Sequence, residues 1–348
     1  MQRLSVKMAL AAGALLAGII LVWRQDQPGA ITKLESKTAY PHKQFYRSLD
    51  GLGVDTAEAA RSRVVGVAID NHPDARPQLG LSQAAVVYEA PVEGNLTRFL
   101  ALYPASSTVE SVGPVRSARP YFIDWLAEYG NALYLHSGGS PEALRFLKST
   151  RAVFDINEFS WGEYFWRDAR FTPPHNLFTS SSRWQEILSA YGERRPERSS
   201  EGWQFATNTP ASLPATTSVR AVSALAIPYA PDYRVEWRWN ASHQRWEREV
   251  NGVGARDAGG EALAADNVII QYVSARAVDE EGRLELTAQG EGEARFLQRG
   301  QLGSGTWRKN EATARTRFYH PDGSELTLVP GITWVQVVAA GTTLEISN

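Results

Sequence analysis

Two arginines, Arg116 and Arg119, stand at an Arg-x-x-Arg spacing just before Pro120, where a helix is expected to open. Proline suits a first helical position because it has no N–H to lose there. The start of a helix is electropositive, so a cation placed there costs about 0.3–1 kcal/mol unless an anion offsets it. The pattern therefore calls for either a buried carboxylate or a bound anion. If the anion is a ligand, the planar guanidinium forks of Arg116 and Arg119, with Arg98 arriving from a strand, form a clamp suited to phosphate or carboxylate. If it is internal, Asp70, Glu89 or Asp124 are the partners.

Three further groups could do chemistry. His136-Ser137-Gly138-Gly139-Ser140 lies between an expected strand and helix, where glycines allow close backbone approach and free N–H groups bind anions. It lacks the lysine of a P-loop and the spacing of a dinucleotide fingerprint. A tight turn with an N-capping serine is the alternative. Within Phe165-Trp-Arg-Asp168 and Pro173-Pro-His175-Asn176, His175 could act as acid or base with Asp168 as its partner and Asn176 as a ligand contact. A proline-held loop whose polar side chains cap the backbone is the alternative. In Ile69-Asp-Asn-His-Pro-Asp-Ala-Arg-Pro77, Asp70 falls at a strand end, so it is a third candidate beside His175 and Asp168 for a catalytic role. Asp70, His72 and Asp74 could in principle hold a cation, but no His-x-x-x-His spacing supports one, and neither metal nor cofactor is expected. No Gly-x-Ser-x-Gly elbow marks a serine nucleophile.

The elements that must position these groups alternate. Apolar runs at 64–69, 85–89, 97–103 and 132–136 read as strands, and 120–129, 141–149 and 181–191 as helices, with Ser140 as an N-cap. After 217 the pattern becomes a period of two, as in Tyr233, Val235, Trp237 and Trp239, with further strands to 338. The expected fold is an α/β N-terminal domain followed by a mainly antiparallel β domain. The expected boundaries are 1–30 for an anchor or signal segment, 31–60 for a tether, 61–192 for the α/β domain, 193–217 for a linker and 218–348 for the β domain. Trp237, Trp239, Trp246, Trp307 and Trp334 could form a stacking face, although tryptophans at alternating strand positions usually belong to a core.

The composition narrows the class. Of 348 residues, 43% are apolar and 21% charged, which are globular proportions. A net charge of −2 gives no support to nucleic-acid binding. The absence of cysteine excludes disulfides, thiolate nucleophiles and thiolate metal sites. Arg3 and Lys7 precede an uncharged apolar run from Met8 to Trp23, about 24 Å long as a helix. No small-x-small cleavage site follows it, so an uncleaved membrane anchor with an internal N-terminus is expected. The main domains are then extracytoplasmic.

The runs Val67-Ala-Ile-Asp-Asn-His-Pro73, Ala90-Pro-Val-Glu-Gly94, Gly113-Pro-Val-Arg-Ser-Ala-Arg-Pro120, His136-Ser-Gly-Gly-Ser140 and Pro174-His-Asn176 resemble the YerB-like family of bacterial envelope proteins. Gly305-Thr-Trp-Arg-Lys309 and Pro330-Gly-Ile-Thr-Trp334 are similar to that family's separate C-terminal domain. The resemblance spans roughly residues 60–340. It implies an extracytoplasmic location and a two-domain layout, and supplies no activity. Many members are lipoproteins, whereas this chain has no cysteine to lipidate, so an anchor helix must replace the lipid. A local similarity is also seen to enzymes that transfer polyprenyl-phosphate-linked glycans, which hold a pyrophosphate with arginines. The expected function is binding of an anionic, phosphate-containing envelope glycan or lipid. The alternatives are an envelope-polymer transferase or hydrolase using the same cleft, and an assembly scaffold. The ligand-contacting candidates are Arg98, Arg116, Arg119, His136, Ser137, Gly138, Gly139, Ser140 and Asn176.

Overall fold

The computed structural model describes residues 45–194, 201–206 and 219–348. The expected anchor (1–30), the first part of the tether (31–44) and most of the linker (195–200 and 207–217) lie outside the described residues. Among the described residues, no helix is long and apolar enough to cross a membrane.

The apolar run Val64-Val-Gly-Val-Ala-Ile69 forms β1 (Val64–Asp70), every residue of which is buried. Side chains leave a strand alternately on its two faces. Val65, Val67 and Ile69 accordingly enter one apolar cluster, and Val64 and Ala68 another. A strand covered on both faces reads as a continuous apolar run, as this one does. Strands β2 (Val86–Pro91) and β3 (Thr97–Pro104) make an antiparallel hairpin beside it, with Asp70 of β1 opposite Arg98 of β3. Strands β4 (Leu133–His136) and β5 (Phe154–Asn157) extend the sheet in parallel from the other side of β1. Helix α1 (Pro120–Leu126) sends Tyr121, Phe122, Trp125 and Leu126 into one cluster, joined by Ala143 and Leu147 of α2 (Pro141–Ser149). Helix α3 (Ser181–Tyr191) adds Trp184 and Ile187 to the other. Gly66 lets α1 come close: a Cβ there would lie 2.8 Å from a methyl of Leu126.

Beyond residue 219 the chain is strand-rich. Strands β6 (Ala224–Ala230), β7 (Tyr233–Asn240) and β8 (Arg245–Val250) form an antiparallel meander. Strands β9 (Asn267–Val273), β10 (Gly290–Gln298), β11 (Gln301–Lys309) and β12 (Thr333–Ala339) belong to the sheet of β1. Strand β12 joins the two halves. It runs parallel to both β9 and β2, with Thr333 opposite Asn267 on one side and Val86 on the other. The result is one 11-stranded sheet, ordered β11-β10-β9-β12-β2-β3-β1-β4-β5 along its main path with short strands at the β11 end. Trp237, Trp246 and Trp334 pack in the same cluster as Val65 and Val67, so these indoles are core, and Trp307 is buried against the opposite face.

The architecture is therefore mainly β. It departs from the expected scheme in two ways. The N-terminal half has short helices and two antiparallel pairings, β2–β3 and β1–β3, and the C-terminal half contributes a parallel strand to a shared sheet. A period of two gives the face of a side chain but not the direction of its neighbouring strand. Residues Gln44–Asn348 form one compact unit. Part of the expected tether is structured: Phe45–Tyr46 pairs with Gly53–Val54, and Thr56 caps the helix Ala57–Ala60. Part of the expected linker also packs, where Gln204–Phe205 pairs with Thr327–Leu328 and the Trp203 indole N–H donates to the Thr316 carbonyl at 2.8 Å.

Two buried ion pairs cross between the halves. Glu89 of β2 meets Arg248 of β8 at 2.9 Å, and Glu128 after α1 meets Lys309 of β11 at 2.9 Å. The Tyr233 hydroxyl donates to Glu89 at 2.5 Å, and Asn71 donates to Tyr233 at 2.6 Å. The turn that follows β1 is thereby tied to the C-terminal half.

Candidate functional site

Asp70 ends β1, so its carboxylate sits where the sheet gives way to loops. It is buried, and it gathers donors from several segments. Its Oδ2 accepts from His175 Nδ1 at 2.7 Å and pairs with Arg116 Nε at 3.0 Å, while its Oδ1 accepts from the His72 backbone N–H at 3.1 Å. Burial opposes its charge most strongly. Arg98, the hydrogen bonds of His175 and His72, and Arg116 together outweigh burial and hold the carboxyl below the ordinary 3.8. The backbone brings Arg116 here because the Asp70 amide donates to the Pro114 carbonyl and the Arg116 amide to the Ala68 carbonyl, both at 2.8 Å.

The expected partner of His175 was Asp168, and the structure replaces it with Asp70. Asp168 turns instead to Arg170, with Nη2 to Oδ2 at 2.6 Å, and that hydrogen bond lowers its pKa. The two acids could not be told apart along the chain, because Asp70 is 105 residues from His175 while Asp168 is seven away. Asn176 is also not a free contact. Its Oδ1 accepts from Arg167 Nη1 at 3.2 Å, and its carbonyl accepts the Asp168 amide at 2.8 Å.

The arginine pair at the start of α1 divides. Arg119 is buried and ion-paired with Glu93, its Nε donating to Oε2 at 3.0 Å and its Nη2 to Oε1, and its Nη1 donates to the Ala118 carbonyl. Arg98 is buried beside it, with Nη2 4.0 Å from Glu93 Oε1 and Nη1 donating to the Ser117 carbonyl at 3.1 Å. The anion demanded by the helix start is thus Glu93, in the turn between β2 and β3. Residue counting did not select it, although hairpin pairing of Ala90 with Arg98 brings that turn close. Arg116 differs. Its side chain is 30% exposed and only Nε is engaged; Nη1 and Nη2 have no hydrogen-bond partner among the described residues.

The His136–Ser140 loop is sewn into the structure and joins the backbone of Arg116. His136 is fully buried, with Nδ1 at 2.7 Å from the Gly138 carbonyl and Nε2 at 2.7 Å from Asp155. Both ring nitrogens are thus taken up within the fold. Ser137 Oγ donates to Glu158, and the amides of Ser137, Gly138 and Ser140 go to Arg116 O, Asn157 Oδ1 and Ala118 O. Gly139 lies in a bridge with Ala118, and Ser140 Oγ accepts from the Ala143 amide as the N-cap of α2. These amides serve the fold rather than facing an open cradle. The free N–H groups expected here were a property of an isolated turn; the neighbouring segment 116–118 takes up those of Ser137 and Ser140, and Asn157 that of Gly138.

Exposed polar groups therefore concentrate on one side of Asp70. The His72 ring stacks on His175, with centroids 4.6 Å apart and planes 12° from parallel. Asp74 lies beside them, its amide donating to His72 Nδ1 at 3.2 Å. The Nε2 atoms of both rings lack a hydrogen-bond partner among the described residues. Chemically, the arrangement offers one guanidinium fork, one imidazole oriented by a carboxylate and a second imidazole against it.

Two family models match the chain in succession. "Protein of unknown function (DUF3048) N-terminal domain" matches residues 49–196, and "Protein of unknown function (DUF3048) C-terminal domain" matches residues 225–335. The chain belongs to this DUF3048, YerB-like family. It is 32% identical over 316 residues to the protein named "Putative lipoprotein YerB" from Bacillus subtilis (strain 168), covering 88% of this chain and 91% of that one. The crystal structure of YerB from Bacillus subtilis superposes with a TM-score of 0.76 at 31% identity, over 87% of this chain and 100% of that chain.

Proposed function

We propose that this is a membrane-tethered extracytoplasmic protein that binds an anionic, phosphate-containing envelope ligand through Arg116, beside His175 and His72. The location draws on the lipoprotein name of the relative and on the basic start and apolar run, Arg3 to Trp23, which serve in place of a lipid. The binding reading is narrower than a three-arginine cleft. Arg98 and Arg119 act from behind, paired with Glu93, and Arg116 alone reaches out. The single observation that carries the reading is the unspent guanidinium: Asp70 fixes Arg116 at Nε while both terminal nitrogens remain open.

Inorganic pyrophosphate titrated into the full-length protein tests this directly. Arg116→Gln is expected to weaken binding by about 10–100-fold, the loss of a charge-assisted pair, with its circular dichroism unchanged. Equal affinity of wild type and variant, or no binding by either, overturns the reading. Removal of residues 1–30 is expected to move the protein from the membrane to the soluble fraction; retention in the membrane would place the anchor elsewhere.

A second reading, hydrolysis or group transfer on the same ligand, has one observation in its favour. The Asp70–His175 bond directs a proton to Nδ1 and leaves the lone pair on Nε2, as a general base requires.

A further inference from the structure

We propose that His72, Asp74 and His175 form a site for a divalent transition-metal ion of the zinc class. One donor atom from each of the three lies within 4.8 Å of the other two. They come from two segments about a hundred residues apart, so their meeting is a product of the fold and not of local sequence. Two imidazoles and a carboxylate are the donor set that zinc takes in open sites, where three protein ligands leave a fourth position free.

The case rests on the groups behind the ligands. A histidine that binds a metal nearly always donates its other ring N–H to a carboxylate or carbonyl, which fixes the tautomer and aims the lone pair outward. Asp70 does this for His175: the Nδ1–H bond of 2.7 Å, to a buried carboxylate held by the His72 amide and ion-paired with Arg116, leaves Nε2 as the ligating atom. His72 and Asp74 are partly and well exposed, with side chains 36% and 68% accessible, so an ion can reach the site from solvent.

The site closes by a small movement. The two rings are nearly parallel, so an ion in the plane of one lies off the plane of the other. Binding therefore swings the exposed His72 ring out of the stack and releases its long 3.2 Å bond from the Asp74 amide. Those are light constraints on a surface side chain, whereas His175 is held throughout. The inference stands apart from the anion reading, because it concerns the ion alone.

The test is competition between the metal-stripped full-length protein and a chromophoric zinc chelator, with zinc as the sole added ligand. One ion per chain is expected. His72→Ala and Asp74→Asn, both surface changes that should leave folding intact, are expected to abolish stoichiometric binding. Asp70→Asn is expected to weaken it by about 10–100-fold by loosening His175. Arg116→Gln is expected to keep zinc and to bind pyrophosphate about 10–100-fold more weakly, which separates the two proposals. Failure of the wild type to take up zinc, or binding by His72→Ala and Asp74→Asn as tight as wild type, overturns the metal site.

Discussion

Lys309→Met is expected to lower the unfolding free energy by about 3–5 kcal/mol, the cost of leaving one member of a buried ion pair behind. Both Lys309 and Glu128 are wholly inaccessible, at 0% side-chain exposure. The ammonium also donates to the Asp124 carbonyl at 2.6 Å, and Glu128 accepts from the Thr316 amide and hydroxyl at 2.9 and 2.6 Å. Removing the lysine leaves a buried carboxylate with the Thr316 hydrogen bonds but without its paired cation. It also worsens the position of Asp124, whose carboxyl burial already pushes up and whose relief comes from Lys309. Adding Glu128→Gln should recover much of the loss, since the amide oxygen still accepts from the Thr316 N–H, its NH2 can donate to the Thr316 hydroxyl, and it carries no charge. Urea denaturation of the three proteins checks the ordering. Because the pair joins segments matched by the two family models, the loss should appear in one cooperative transition. A Lys309→Met protein as stable as wild type would mean that the pair contributes nothing to joining the halves.

Glu93→Gln is the second change with a large expected effect, again about 3–5 kcal/mol. It leaves Arg98 and Arg119, both buried, without their shared anion. The variant also carries a pH signature. Burial opposes ionisation of Glu93 most, but the hydrogen bond and charge of Arg119, with help from a backbone amide and Arg98, hold its carboxyl below the ordinary 4.5. A carboxyl depressed in the folded state stabilises the fold fully above the unfolded value, and that stabilisation disappears as pH falls through the folded value. Wild type should therefore lose stability on acidification below about pH 4.5, and the Glu93→Gln variant should show a shallower loss across that range. Urea midpoints at pH 7 and pH 3 give the comparison. Parallel pH dependences would mean that Glu93 does not carry the charge balance of the arginine pair. The same pairing implies that Arg119→Ala acts on stability, while Arg116→Gln acts on binding.

Much of this was legible in the residues. The continuous apolar run of β1, the alternation Tyr233, Val235, Trp237, and Ser140 as the N-cap of α2 follow from local physics: the period of a strand, the coverage of its faces, the orphan donors at a helix start. The need for a negative partner at Arg116 and Arg119 followed from the same reasoning, and for Arg116 Asp70 stood among those named. The identity of the others was not legible. Glu93 meets Arg119 only because β2 turns back onto β3, and Asp70 replaces Asp168 at His175 only because a loop 105 residues away returns to the end of β1.

Composition and short-range pattern by themselves determined that the chain is a folded protein without thiol chemistry, strand-forming in its C-terminal half, with an apolar N-terminal run and a cluster of cations needing an anion. Tertiary structure alone decided which arginine stays open, which histidine is sealed, and that both halves share one sheet through β12. The reason is range. Propensity, capping and periodicity act over a turn or two of chain, whereas charge neutralisation and strand order are settled by contacts between segments whose separation no local rule encodes.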